Sequence, residues 1–197
     1  MLSHPTHALK EWATAVNALE QGKTIMLLRK GGIREVVNRF EVKNQQVLLY
    51  PTYEHQKPHL LKPDYAAEVT PVASGWHPEK VRISSWAEIT DILVISDAAT
   101  VEALLPYHIW NEEFVRDRYN WKPRQPLYIL LLRTYQLPQP VTIDYRQEYG
   151  GCKSWIDLVE PISLANIVPV IEEEDYSQQV SEIRNLIEQG TVSKVVN

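Results

Sequence analysis

Apolar residues recur at spacings of three and four from Leu9 through Trp12, Val16 and Leu19, with Ala8, Ala13 and Ala15 between them. That period predicts an amphipathic helix. Thr6 stands where a cap would start it, and Gly22 where a left-handed residue would end it. Residues 24–29, Thr-Ile-Met-Leu-Leu-Arg, form an apolar run too short for a helix and predict a strand. Gly31-Gly32 then turns the chain, and residues 46–50 read as another strand closed by Pro51. The opening pattern is one helix followed by two or three antiparallel strands.

Residues 53–78 hold prolines, histidines and charges without a period, which predicts a long loop. Val81 and Ile83 alternate, and Trp86, Ile89, Ile92, Val94 and Ile95 continue a strand-forming stretch over 80–96. Asp97 is placed to cap a helix over 98–105 that Pro106 ends. Asn111 is placed to cap a second helix, with Glu112 and Glu113 in its first turn, where the helix dipole favours acids. Residues 127–135 are the most hydrophobic run and fit a central strand buried on both faces. A last helix over 175–189 carries Tyr176, Val180, Ile183 and Ile187 on one stripe. There is no internal repeat and no regular strand–helix alternation. The expected fold is therefore α+β: a mixed, barrel-like, mostly antiparallel sheet with flanking helices. One domain is expected over 1–190, with 191–197 as a flexible tail.

Composition narrows the class. A chain of 197 residues that is 44% hydrophobic holds enough apolar material for a core without disulfides or metal. Cys152 is the only cysteine, so no internal disulfide can form, which points to a reducing cytoplasm. Residues 1–10 lack the apolar run of a signal peptide, and nowhere do 18 consecutive apolar residues occur, so no membrane segment is expected. The net charge of −5 is unevenly spread. Residues 23–43 hold six Lys/Arg against Glu35 and Glu41, and residues 107–155 hold seven against five acids. A basic face on an acidic body still attracts anions.

Several residues are candidates for chemistry. Arg29, Lys30 and Arg34 flank Gly31-Gly32, a turn whose backbone N–H groups and nearby cations suit a phosphate. The alternative is a solvated hairpin tip, and the spacing of a P-loop is absent. His108 beside Trp110, with Arg116, Arg118, Trp121 and Lys122 following, offers stacking surfaces for a base and guanidinium forks for phosphate. The alternative is that both tryptophans are core. If the two groups form one patch, Arg29 and Arg34 share a face with His108, Trp110 and Arg116. His55 joins Glu54, His59 and His77 in the proline-bearing loop, where Pro58 argues against a helical metal-ligand pair. No metal site and no cofactor are expected. Cys152, between Gly-Gly and Lys153, is either an activated thiol or a buried inert one. Glu41-Val42-Lys43 matches half of a restriction-type nuclease motif, but no aspartate precedes it.

The segments Leu-Leu-Arg-Lys-Gly-Gly-Ile-Arg-Glu (27–35), Trp-His-Pro-Glu-Lys-Val-Arg-Ile (76–83), His-Ile-Trp-Asn-Glu-Glu-Phe-Val (108–115) and Glu-Tyr-Gly-Gly-Cys-Lys-Ser-Trp (148–155) carry a resemblance. So do the segments at 49–56 and 119–128. Together they resemble the bacterial, mainly cyanobacterial, domain-of-unknown-function family 1802 over most of the chain. That resemblance implies no established activity, and a link to restriction-modification systems by association only. Gly22-Lys23-Thr24 leading into a strand that ends at Arg29 is also similar to the opening of PUA, ASCH and EVE barrels, which implies RNA binding. The expected function is a nucleic-acid or nucleotide-binding module, with RNA or DNA as partner. A metal-dependent nuclease and a non-catalytic protein–protein adaptor are the alternatives.

Overall fold

In the computed structural model, which describes residues 5–30, 35–36, 39–40, 45–95, 97–121 and 126–192, the chain opens with a strand, His7–Trp12 (β1). It turns directly into a helix, Ala13–Glu20 (α1). The helix expected from Leu9 onward therefore begins only at Ala13. Ala8 pairs with Leu48 and Ile156, and Leu9 with Leu49 and Trp155, so β1 has a neighbour on each side. Ala8 and Leu9 are both fully buried, in clusters on opposite faces of the sheet. A strand covered on both faces shows no polar alternation, and its junction with α1 happens to continue a helical spacing. Thr6 caps nothing; its carbonyl accepts from the Leu158 N–H at 2.8 Å. The N–H of Thr14 in the first turn of α1 instead donates to Gln56 Oε1 at 3.0 Å. The other end of α1 follows the sequence. Gly22 adopts φ 68°, its N–H reaches Leu19 O at 3.2 Å, and Lys23 N–H reaches Ala18 O at 2.9 Å, which is a Schellman cap.

Met26–Arg29 (β2) is the expected short strand. Glu35–Val36 (β3) and Arg39–Phe40 (β4) pair antiparallel with each other. Gln46–Thr52 (β5) runs parallel to β1, from Ala8 opposite Leu48 to Trp12 opposite Thr52. Pro51 lies within this strand rather than closing it. The pairing of β5 with its other neighbour covers only 46–48, so Pro51 sits where a missing N–H breaks no second ladder. The loop that follows holds a short 3-10 turn, Pro58–Leu60, and a one-turn helix, Pro63–Ala66 (α2).

Two long strands, Lys80–Ile95 (β6) and Leu127–Asp144 (β7), pair antiparallel along nearly their whole length. Register shifts at 83/85 and 89/91 interrupt the ladder, and such bulges let a long ribbon curl. Between them lie Ala98–Ala103 (α3) and Glu112–Asn120 (α4). Both are capped as expected, Asp97 accepting from Thr100 N–H and Asn111 from Phe114 N–H. Trp155–Asp157 (β8) and Val168–Pro169 (β9) add short strands, and Glu173–Val192 (α5) ends the described chain. The sheet order is β2-β7-β6-β5-β1-β8, with β9 pairing β7 beyond β2. The fold is α+β, with a curled, mostly antiparallel sheet in which, among the described residues, β1–β5 is the parallel pair. One face packs under the helices around Leu27, Ile129, Leu131, Trp110, Phe114 and Ile183. The other face builds a smaller core around Leu48, Ile83, Trp86, Tyr149 and Leu164.

Candidate functional site

The curl brings the two ends of the sheet, β2 and β1–β8, toward one another. No backbone ladder joins them among the described residues, and the side chain of Arg29 spans the opening instead. Its guanidinium pairs with Glu11 Oε2 at 2.8 Å, donates to the Lys10 carbonyl at 2.9 Å, and reaches Ser154 Oγ at 3.4 Å. Glu11 is fixed from its other oxygen, which accepts the Trp12 N–H at 2.8 Å. Lys10 donates from its backbone to Ser154 O at 2.8 Å. Its ammonium bonds Tyr149 O at 2.6 Å and Gly151 O at 2.9 Å. The Gly150–Ser154 corner is therefore folded around Lys10, and it carries the exposed thiol of Cys152 to the same opening.

Two further cations stand nearby, Lys30, which follows Arg29 in the sequence, and Arg118, from α4. Lys30, only 5% exposed, lies over the Tyr119 ring at 5.6 Å and donates to the Tyr119 carbonyl. Arg118 lies over the Phe114 ring at 4.9 Å, within electrostatic reach of Glu11, Arg29 and Lys30. Arg29 and Arg118 thus share one nearby carboxylate, Glu11, at the rim, and Lys30 adjoins Arg118, while the Lys10 ammonium is tied to the Tyr149 and Gly151 carbonyls with Glu54 as its nearby carboxylate. Burial holds the Arg118 guanidinium below its usual pKa, and Arg29 adds to that. Burial does the same to Lys30, with Arg118 adding to it. Lys10 is also lowered, first by burial, although Cys152 and Glu54 partly offset this. Cations held this way gain from any anion that enters, because it relieves both desolvation and mutual repulsion. Trp121, 48% exposed, caps the end of α4 beside this cluster and adds an aromatic surface.

The expected patch is therefore divided. Arg29, Lys30 and Arg118 come together. Arg34 and Lys122 lie outside the described residues, as does the Gly31-Gly32 turn. His108 and Trp110 do not belong to a surface at all: each is 2% exposed. Trp110 stacks on Phe114 with centroids 5.0 Å apart and an interplanar angle of 12°. The apolar neighbours that bury Trp110 also exclude any base from its face. Burial pushes His108 down to about pKa 3, helped by nearby Lys62 and only partly offset by backbone groups of Trp110 and His108 itself. Arg116 points away from Arg118, as a two-residue step on a helix dictates, and lines a groove with Glu102 and Glu112. His55 is exposed, adopts φ 67° and pairs with Glu54 at 3.3 Å. Among the described residues no three His, Cys, Asp or Glu side chains gather as a metal would need. Glu41 and Lys43 fall outside those residues. Lys10, Glu11 and Ser154 were not legible as site residues, because no spacing marks them. Only the pairing of β1 with β8 and the curl of the sheet bring them to Arg29.

A family model described as domain of unknown function (DUF1802) matches residues 8–182, and the chain belongs to that family. No curated protein matches the sequence. Among solved structures, the ASCH protein of Zymomonas mobilis is similar at 14% identity and a TM-score of 0.42, covering 89% of this chain and 93% of that one. Two point variants of that protein match at 13% and 12% identity, with TM-scores of 0.43 and 0.42. The first covers 89% of this chain and 96% of its own, and the second 92% and 98%. Identities and scores this low transfer no ligand and no residue role.

Proposed function

We propose that this member of the DUF1802 family is a nucleic-acid-binding module that holds a phosphate backbone at the rim closed by Arg29. The observation that carries the reading is the meeting of Arg29, Arg118 and Lys30 at the rim, with Arg29 paired to Glu11 and both Arg118 and Lys30 held below their usual pKa. Guanidinium forks suit phosphate oxygens, and ammonium groups already tied to carbonyls lose little freedom on meeting one. Tyr119 and Trp121 stand at the same end of α4, where a base of a single strand would stack. A reducing cytoplasm is the proposed location, supported by a single cysteine that can form no internal disulfide.

Fluorescence anisotropy with short single- and double-stranded RNA and DNA tests the reading. Affinity should fall with added salt, because each neutralised phosphate releases a counterion. Arg118→Ala should weaken binding about tenfold and reduce the magnitude of the salt slope by about one unit. No binding to any of the four nucleic acids at low salt, by protein shown to be folded, would refute it.

A further inference from the structure

A second concave surface lies along α1, independent of the rim and of the reading above. A groove of about 560 Å3 runs between α1, the end of β5 and the start of β6. That is a ligand-sized volume. Four of its lining side chains, Gln56, Glu20, Arg82 and Tyr53, differ in chemistry.

Gln56 is 8% exposed. Its carbonyl oxygen is used twice, by Thr14 N–H at 3.0 Å and Thr14 Oγ1–H at 2.9 Å, which fixes which end of the amide is which. Its Nε2 donates to Tyr53 O at 3.5 Å, at the limit of a hydrogen bond, so this fixed donor on a groove-lining side chain has only a weak partner. Glu20 is buttressed in the opposite sense. Its Oε1 accepts from Ser84 Oγ at 2.6 Å and Ser85 Oγ at 2.7 Å, while Oε2 has no hydrogen-bond partner among the described residues. Arg82 is exposed on β6, two residues from Ser84, and joins no ion pair among the described residues. Tyr53 is held edge-on against Trp76, with centroids 6.0 Å apart at 90°, which fixes the orientation of its ring.

A fixed donor, a fixed acceptor, an uncommitted cation and a pinned aromatic ring describe a ligand with a planar head and an anionic tail. The planar head must both donate and accept hydrogen bonds. We propose that this groove is a mononucleotide site. The base lies against Tyr53, donates to Glu20 Oε2 and accepts from Gln56 Nε2, and the phosphate meets Arg82. A nucleobase has both kinds of polar edge, and its flat face is what an aromatic ring stabilises.

The test is titration of the full chain with AMP, GMP, CMP and UMP, followed by calorimetry and by the 15N–1H resonances of the Gln56 side-chain amide. At least one nucleotide should bind and shift those resonances. Arg82→Ala should weaken it about tenfold or more, the loss of a charge-assisted contact. The matching nucleoside, lacking phosphate, should bind as weakly and be indifferent to Arg82→Ala. Glu20→Gln, which retains an acceptor for the two serines, should weaken both ligands alike. Arg118→Ala, which tests the rim, should leave the nucleotide-induced shift of the Gln56 amide and its dependence on nucleotide concentration unchanged. The proposal is overturned if no nucleotide moves the Gln56 amide at millimolar concentration. It is equally overturned if Arg118→Ala abolishes binding while Arg82→Ala does not, since the nucleotide would then occupy the rim.

Discussion

The rim around Arg29 and the packed turn around His108 draw on the same residue types, and the fold treats them in opposite ways. At the rim, aromatic rings lie under cations: Phe114 beneath Arg118 and Tyr119 beneath Lys30. At the turn, Trp110 stacks on the other members of the core, and His108 beside it is held neutral. Phe114 takes part in both, since one ring contacts Arg118 and Trp110. What separates the two regions is the position of each residue on α4 and on the segment leading into it. Residues 108–110 enter α4 beneath the helices, where Leu61 bridges to Trp110 and the Ile109 carbonyl accepts from Lys62 N–H. Arg118 is at the helix's far end, above the open edge of the sheet. Composition marks a region rich in recognition chemistry, but only topology says whether it faces a ligand or the interior.

The comparison would break first at Trp110. If it is core, Trp110→Ala should cost about 3–5 kcal/mol of stability, the transfer free energy of a buried indole plus the cavity it leaves. Urea unfolding followed by circular dichroism reads this directly. A loss below about 1 kcal/mol would put Trp110 at a surface and restore it to the recognition patch.

His108 sharpens the contrast through pH. Its folded-state pKa, about 3, lies below the ordinary histidine value near 6.5. Between those limits the unfolded chain binds the proton and the folded one does not. The histidine's contribution is therefore fully present above about pH 6.5 and is lost as pH falls through that window, at about 1.4 kcal/mol per pH unit. At pH 5 the loss should be about 2 kcal/mol. His108→Leu, which cannot titrate, should remove that part of the acid sensitivity. Stability curves for both proteins from pH 7 to pH 4 check this; parallel curves would mean His108 is not held neutral.

How much of this was legible depends on how local each signal is. The caps at Asp97 and Asn111, the Gly22 helix end, the buried run at 127–132 and the stripe of α5 are written in neighbouring residues, and each stands in the structure. β1 carries a helical spacing in the sequence, and its pairing partners, β5 and β8, lie about 40 and 150 residues away, beyond any periodicity. The same distance hid Lys10, Glu11 and Ser154. Arg29, Lys30 and Arg118 were visible as cations, yet nothing local says that Arg118 rather than Arg116 turns toward Arg29. His108 and Trp110 stay open between surface and core in the sequence, because histidine next to tryptophan serves equally well as platform or as core.

The Arg29–Glu11 pair tests whether the rim is held by side chains. The side chains are 16% and 11% exposed, between a surface pair and a buried one. Arg29→Ala should cost ~2 kcal/mol, between the exposed and fully buried cases, because it leaves the largely buried Glu11 carboxylate without its ion-pair partner. A double-mutant cycle with Glu11→Gln separates the coupling from the loss of packing. Coupling below about 0.5 kcal/mol would mean that Arg29 does not tie the two ends of the sheet together.

The smallest expected effect is the most discriminating one. Arg118 contributes a contact to Phe114, but its charge is held against burial and against the neighbouring Arg29. Removing the charge while keeping the chain's aliphatic length, as in Arg118→Met, keeps the packing on Phe114 and relieves that repulsion. Stability should therefore change by less than about 0.5 kcal/mol in either direction, since a cation kept in place against its own desolvation adds little to folding. A region built for stability would respond as Trp110 does, and a region built to hold an anion should give up charge without unfolding. Thermal unfolding of Arg118→Met beside Trp110→Ala, in the same buffer, measures the difference. A loss of 2 kcal/mol or more in Arg118→Met would make the cation part of the scaffold and would remove the distinction between the two regions.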